Sequence, residues 1–323
     1  MRIPKVKSKD LLTVTDLSAE EIINIFNFAK KLKKIHKNGK RQKILRDKTL
    51  AMIFDKSSTR TRVSFEAGMA QLGGHGLFLD GDTLQLGRGE TPSDTAQVLS
   101  RYVDGIMIRT FSHEVVEDLA KNSSIPVING LTDSYHPCQA LTDYFTIYEL
   151  NKNLKDVKMA YVGDGSNNMA NSLLLCGAVL GSSIAIAAPK KFLPDLEIQE
   201  KAYKIQSLTG ANILITTDIE EAAHKANFLY TDVWTSMGQE KEANKRKKAL
   251  GSYKISKKLL DKSDPHCRVM HCLPAHRGEE IDADVIDSDV SIVFDQAENR
   301  LHVQKAVTCA LMVNNKKRGT LWM

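Results

Sequence analysis

The sequence predicts an α/β protein built as two consecutive doubly wound parallel-sheet domains. Three observations carry that expectation. Short apolar runs of strand type alternate with stretches of helical spacing, joined by short loops, as sheets covered on both faces require. The alternation breaks at Asn129-Gly130-Leu131-Thr132-Asp133 and restarts at Val157, dividing the chain into two halves. The chain has 323 residues, too many for one small core and enough for two ordinary domains.

Residues 1–10 are polar and basic. Ser18 and Glu21 form an S-x-x-E capping box that opens a helix to about Lys34. After the charged loop from His36 to Lys43 comes the buried strand Thr49 to Phe54, then a helix from Val63. Gly73-Gly74-His75-Gly76 turns the chain into a short strand at Leu77 to Leu79. A long Gly-containing surface loop, Asp80 to Glu90, is a candidate for function by its length. Pro92 lies in the first turn of the next helix. A strand then runs from Asp104 to Thr110, a helix from His113 to Lys121 and a strand from Ile125 to Asn129.

A long helix follows His136-Pro137-Cys138-Gln139 and spans Ala140 to Leu150. In the second half the strands are 157–162, 183–187, 212–216, 228–231 and 268–271. Helices are expected at 168–180, 194–208 and 219–224. The charged segment Glu240 to Leu250 is expected as an exposed helix, Asp284-Val285 as a helical turn, Ser291 to Phe294 as an edge segment and Gln296 to Asn314 as a last helix. No repeat of 20 to 50 residues is present.

Hydrophobic content of 42% and charged content of 26% are ordinary for a globular protein. The net charge of +6 is spread over clusters interleaved with acids, which excludes a nucleic-acid stripe and mildly favours small anionic substrates. Five cysteines with no C-x-x-C pair argue against a disulfide framework or structural zinc and for a reducing compartment. No secretory leader or membrane span is expected, so the predicted location is cytoplasmic.

The stretch Phe54-Asp55-Lys56-Ser57-Ser58-Thr59-Arg60-Thr61-Arg62 ends a strand and begins a helix. Helix N-termini offer backbone N–H groups and a positive dipole end, hydroxyls add donors, and guanidiniums fork onto phosphate oxygens. An ordinary Ser cap would account for one hydroxyl and one arginine. Two arginines among three hydroxyls instead indicate a phosphate site at Ser58 to Thr61. Arg109, Gly163 to Asn168, Asp232 and Cys272 also fall at the carboxyl ends of strands, where open α/β sheets bind ligands. They can therefore converge with Ser58 to Thr61 on an active site in a cleft between the two domains.

Gly163-Asp164-Gly165-Ser166-Asn167-Asn168 is half of a dinucleotide fingerprint. Its third glycine is replaced by Asn168, and the next strand ends in Ala187-Ala188-Pro189 with no acid for a ribose, so a nicotinamide cofactor is not expected. An Asn pair at a helix start can hold an amino acid instead. His271, Cys272 and His276 lack a further ligand at a metal-motif spacing, so no metal is expected either.

Ser58-Thr59-Arg60-Thr61-Arg62, His136-Pro137-Cys138-Gln139, Asp232-Val233-Trp234-Thr235-Ser236-Met237-Gly238 and His271-Cys272-Leu273-Pro274 together resemble the aspartate/ornithine carbamoyltransferase family. The first two resemble its shared carbamoyl phosphate motifs. The last two resemble the D-x-x-x-S-M-G and H-C-L-P hallmarks of the ornithine branch. The resemblance implies transfer of the carbamoyl group from carbamoyl phosphate to L-ornithine, without metal or organic cofactor, in a homotrimer or a multiple of trimers. It implies that Ser58, Thr59, Arg60, Thr61, Gln85, Arg109, His136, Gln139, Cys272, Leu273 and Arg300 bind carbamoyl phosphate, with Gln85 often reaching a neighbouring subunit's site. Asn168, Asp232, Ser236 and Met237 match the ornithine contacts, and Arg60, Arg109, His136, Asp232 and Cys272 the catalytic positions. Residues 1–135 would form the carbamoyl phosphate domain, with a C-terminal helix at about 297–323 packing back on it. Residues 136–150 would form a linking helix and 151–296 the ornithine domain. Two other readings are a sister enzyme acting on putrescine or a modified ornithine, and a binding paralogue with an inactive site. Arg62 is left to a structural or inter-subunit ion pair.

Overall fold

A computed structural model describes residues 2–235, 238 and 240–314. The chain divides into two compact units, one of residues up to 141 together with those from 299 on, the other of residues 142–298.

In the first unit the elements are α1 (Ala19–Lys37), β1 (Thr49–Phe54), α2 (Thr59–Gln71), β2 (His75–Asp80), α3 (Pro92–Tyr102), β3 (Gly105–Arg109), α4 (His113–Asn122) and β4 (Val127–Leu131). The sheet is parallel throughout, in the order β2-β1-β3-β4. Strands β1, β3 and β4 are buried on both faces because helices cover both, while the edge strand β2 is partly exposed; Ile53, Ile106, Ile108 and Val127 are fully buried against Val116 and Leu119. Each such side chain contributes about 1.5–3 kcal/mol on burial. The capping box forms as expected: Glu21 N–H donates to Ser18 Oγ at 3.3 Å and Ser18 N–H to Glu21 Oε2 at 2.8 Å. The chain before α1 pairs Leu11 with Ile128 and so covers the outer edge of β4.

The strand expected to end at Asn129 runs on two residues, through Gly130 to Leu131, so the expected break begins only at Thr132. Gly130 permits this: a Cβ there would lie 2.5 Å from Met107 Sδ and 3.1 Å from the Ile108 carbonyl. The loop from Asp80 to Glu90 is not irregular. It holds two 3-10 turns, Gly81–Thr83 and Gln85–Arg88.

Helix α5 (Pro137–Leu150) carries the chain across the boundary at residue 141. The second unit continues with β5 (Lys158–Val162), α6 (Asn168–Leu180), β6 (Ser183–Ala187), α7 (Leu196–Thr209), β7 (Asn212–Thr216), α8 (Ile219–Ala223) and β8 (Phe228–Thr231). Then follow α9 (Ala243–Leu250), α10 (Lys257–Leu260), β9 (Arg268–His271), α11 (Ala283–Ile286) and α12 (Val293–Asn314), which returns the chain to the first unit. The second sheet is also parallel, ordered β7-β6-β5-β8-β9. Val162, Leu229 and Val269 bury between its strands and covering helices. The expected edge segment at Ser291 to Phe294 is only a bridge from Ser291 to Val269, and α12 starts at Val293. The part of the predicted C-terminal helix beyond 314 lies outside the described residues. Among the described residues no helix is long and apolar enough to cross a membrane.

Each sheet reverses its winding once, between β1 and β3 in the first unit and between β5 and β8 in the second. Crevices form outside the carboxyl ends of strands at such switch points.

Candidate active site

In the first unit the switch point lies between Phe54 at the end of β1 and Arg109 at the end of β3, which face each other in register. Ser58 is the N-cap of α2 and its Oγ accepts from Thr61 N–H at 3.2 Å. That bond fixes the first turn of the helix, whose leading N–H groups lie beyond its own ladder and carry the positive end of the dipole. Thr59 is exposed, and Ser58 and Arg60 are half-buried. Thr61 points inward, is buried, and its Oγ1 accepts from Arg300 Nη2 at 3.1 Å. Arg300 also donates through Nη1 to Gln139 Oε1. Arg109, His136, Gln139 and Arg300 are all at least nine-tenths buried. Burial first, then the charges of Arg300, Arg109 and Arg60, hold the His136 imidazole well below its usual pKa, so it is neutral near pH 7. The positive charges of three arginines thus act on a neutral imidazole.

Gln85, expected at the site, and Arg62, left to an ion pair, stand apart from this cluster. Gln85 is exposed in its 3-10 turn, and its backbone carbonyl accepts from Gly89 N–H and from Glu90 N–H at 3.1 Å. Arg62 pairs with Glu66 one turn along α2 at 3.5 Å and lies over the Phe78 ring at 3.7 Å, which accounts for it within the unit. Lys56, given no role from sequence, is buried, pairs with Asp133 and sits 4.1 Å over the Phe111 ring. Its partner is 77 residues away, so no local pattern announces the pair.

In the second unit, the glycines of Gly163-Asp164-Gly165 serve packing. Gly163 has φ +142°, and a Cβ on Gly165 would lie 2.8 Å from the Phe192 carbonyl. Asn167, not Asn168, caps α6, its Oδ1 accepting from Ala170 N–H at 2.8 Å; Asn168 is the half-buried first helical residue. Asp232 follows β8 and Cys272 follows β9. The Cys272 thiol donates to Asp232 Oδ1 at 2.9 Å, and that oxygen also accepts from Val233 N–H at 2.8 Å. Burial and the Asp232 carboxylate push the thiol well above its usual pKa, so it is a protonated donor at neutral pH and not a thiolate.

Behind this pair lies a buried network that composition and spacing do not reveal. Leu273 takes a left-handed φ of +58°, ahead of a cis bond to Pro274. A non-glycine residue there costs of order 1–3 kcal/mol and needs support. Leu273 N–H donates to His271 Nδ1 at 2.8 Å, so Nε2 carries the proton and donates to Glu280 Oε1 at 3.2 Å. His271 N–H donates to Gln296 Oε1 at 3.0 Å, and Gln296 Nε2 donates to Asp143 Oδ1 at 2.7 Å. Tyr230 hydroxyl donates to Asp143 Oδ2 at 3.0 Å. Asp232, His271 and Cys272 bring ligand-type atoms within 4.8 Å of one another. Both imidazole nitrogens of His271 are already engaged by protein, which argues against a metal held by this trio. Ser236 and Met237, expected at this site, lie outside the described residues.

Residues 9–149 match the family described as aspartate/ornithine carbamoyltransferase, carbamoyl-P binding domain, and residues 155–311 match its Asp/Orn binding domain. The chain belongs to the aspartate/ornithine carbamoyltransferase family. A curated relative named ornithine carbamoyltransferase, from Bacillus thuringiensis subsp. konkukian, is 55% identical over 311 residues, covering 96% of each chain. Among solved structures, ornithine carbamoyltransferase from Pyrococcus furiosus is 51% identical with a TM-score of 0.92, over 97% of this chain and 99% of that one. Anabolic ornithine carbamoyltransferase from Campylobacter jejuni is 42% identical with a TM-score of 0.88, over 94% and 99%. Two parallel α/β domains are therefore both predicted and found.

Proposed function

We propose that this chain transfers the carbamoyl group of carbamoyl phosphate to the δ-nitrogen of L-ornithine, giving L-citrulline and phosphate. The observation that carries the reading is the opposite chemistry of the two switch points. One sets Arg60 in the first turn of a capped helix, Arg300 on Thr61 of that same turn and Arg109 in register with the strand that leads into it, suited to a phosphate dianion. The other presents the Asp232 carboxylate beside a protonated Cys272, suited to a cationic amino acid.

The δ-ammonium of ornithine has a pKa of about 10 in water and must lose one proton to solvent before it attacks; the second proton that Nδ sheds as the bond forms leaves on the phosphate. The new bond joins Nδ to the carbonyl carbon, charge builds on the carbonyl oxygen, and the bond from carbon to the phosphate oxygen breaks. In our reading Arg60, Thr61, Arg109 and neutral His136 donate to the oxyanion, while Ser58, Thr59, Gln139 and Arg300 hold the rest of carbamoyl phosphate. Each oxyanion donor is worth about 2.7–4 kcal/mol of barrier. Phosphate leaves into the α2 N-terminus. Asp232 and Asn168, with Ser236 and Met237, hold ornithine, and the Leu273 carbonyl and the Cys272 thiol serve both substrates by hydrogen bonding. Carbamoyl phosphate is already activated, so no covalent cysteine intermediate is required. The neutral Cys272 supports that economy. We assign the reaction to the cytoplasm and the assembly to a trimer or a multiple of trimers, with Gln85 reaching a neighbour's site.

Mixing protein, carbamoyl phosphate and ornithine gives citrulline and phosphate in equal amounts. Phosphate released without citrulline would contradict the reading.

A further inference from the structure

We infer that Arg246 and Asp164 are positioning residues for the amino-acid substrate, joining the two backbone stretches that carry its ligands. The inference rests on the ornithine reading of the second unit.

Helix α9 has the sequence Ala-Asn-Lys-Arg-Lys-Lys-Ala-Leu, and its composition predicts a solvated face. Lys245, Lys247 and Lys248 do stay exposed. Arg246 is instead 7% exposed. A guanidinium is withdrawn from water only at a cost of several kcal/mol unless its donors are met. Here they are met. Nη2 pairs with the buried carboxylate of Asp164, Nε donates to the Trp234 carbonyl at 2.7 Å, and Nη1 lies 3.9 Å from Glu242. The guanidinium carbon lies 5.0 Å from the centre of the Phe192 ring.

What the guanidinium joins gives the inference its content. Asp164 belongs to the turn after β5 that leads to Asn168. Its Oδ1 accepts from Ser166 N–H at 3.0 Å and Ser166 Oγ at 2.7 Å, so the carboxylate organises that turn as well as pairing with Arg246. Trp234 lies two residues beyond Asp232. It is buried beside Gly163, where a Cβ would come within 3.9 Å of the indole. One planar fork therefore bonds one loop through a side chain and the other through a backbone carbonyl, across the β5/β8 switch point. Lysine has one point donor and cannot make both bonds in this geometry. Neither Arg246 nor Asp164 is assigned a substrate atom. Their effect passes through Asn168 and Asp232, whose separation sets how an α-amino acid is gripped.

The test is steady-state kinetics on full-length Arg246→Met, Arg246→Lys and Asp164→Asn, with each substrate varied in turn, alongside titration of carbamoyl phosphate by calorimetry. Displacement of ligands by about an ångström costs up to roughly 100-fold, so Arg246→Met is expected to raise the KM for ornithine roughly 10- to 100-fold. Carbamoyl phosphate affinity should stay within about twofold, and Arg246→Lys should recover part of the loss. If a variant fails to fold, a double-mutant comparison of Asp164→Asn with Arg246→Lys supplies the coupling. Non-additive ornithine KM values support the tie and additive ones overturn it. An unchanged ornithine KM, or equal losses for both substrates, overturns the positioning role. Wild-type protein that turns over no ornithine removes the underlying reading instead, a result visible before any variant is made.

Discussion

The two switch points are built on the same sheet geometry and carry opposite electrostatics. In the first unit, bases are buried among other bases. His136 is pushed down by its own burial and by Arg300, Arg109 and Arg60, and burial with Lys305 nearby lowers His302 to about 3. In the second unit, protonated acids are buried among acids. Cys272 is pushed up by burial and Asp232, and Tyr230 by burial and Asp143. One region keeps a neutral imidazole amid positive charge, the other a neutral thiol amid negative charge. Fold alone does not determine the ligand. The residues at the strand ends do, and here they suit an anion in one unit and a cation in the other.

The strongest way to break the contrast is to remove charge from the first region. Arg60→Ala is expected to abolish measurable carbamoyl phosphate binding by calorimetry and to lower kcat/KM by about 100- to 1000-fold, the worth of one oxyanion donor. Unchanged binding would remove the phosphate site from Ser58 to Thr61. Asp232→Asn attacks the other side. Losing a hydrogen bond to a charged group costs about 1.5–3 kcal/mol, so the KM for ornithine should rise roughly 10- to 100-fold. The same substitution should lower the Cys272 pKa and speed its alkylation near pH 8. An alkylation rate that does not change would show that the carboxylate does not hold the proton on sulfur.

A weaker effect follows from the buried bases. His302 titrates near 6.5 when unfolded and at about 3 when folded, so the unfolded chain binds more protons between those values. Stability is therefore present in full above pH 6.5 and falls as the pH drops, by at most about 1.4 kcal/mol per pH unit for this group. Urea midpoints of His302→Gln should decline less steeply across that window than those of the natural sequence. Equal slopes would contradict the burial of a neutral His302. The smallest effect is expected at Arg62, whose exposed pair with Glu66 is worth about 0.3–0.5 kcal/mol. Arg62→Ala should leave kinetics and assembly unchanged; dissociation by light scattering would restore the inter-subunit role.

The fold was legible because it rests on periodicity. Buried parallel strands read as apolar runs, and Ser18-x-x-Glu21 marks a helix start that the structure reproduces atom by atom. Arg246 was not legible, since a charged helix shows its composition but not which residue turns inward to meet Asp164, 82 positions earlier. The network of Asp143, Tyr230, Gln296, His271 and Glu280 was hidden for the same reason: each member is unremarkable in its own segment. Gly163 and Gly165 read as half of a dinucleotide fingerprint, and the close approach of Phe192 and Thr231 accounts for them. Local motifs identified the residues at the strand ends, and distant pairing decides how firmly they are held.

The most direct test of the proposed transfer is a steady-state comparison of ornithine, lysine and putrescine as acceptors with carbamoyl phosphate as donor. Citrulline formation with a kcat/KM for ornithine at least about 100-fold above that for putrescine is expected, because putrescine lacks the α-amino acid end that Asp232 and Asn168 are proposed to grip. Equal or preferred use of putrescine would contradict the account.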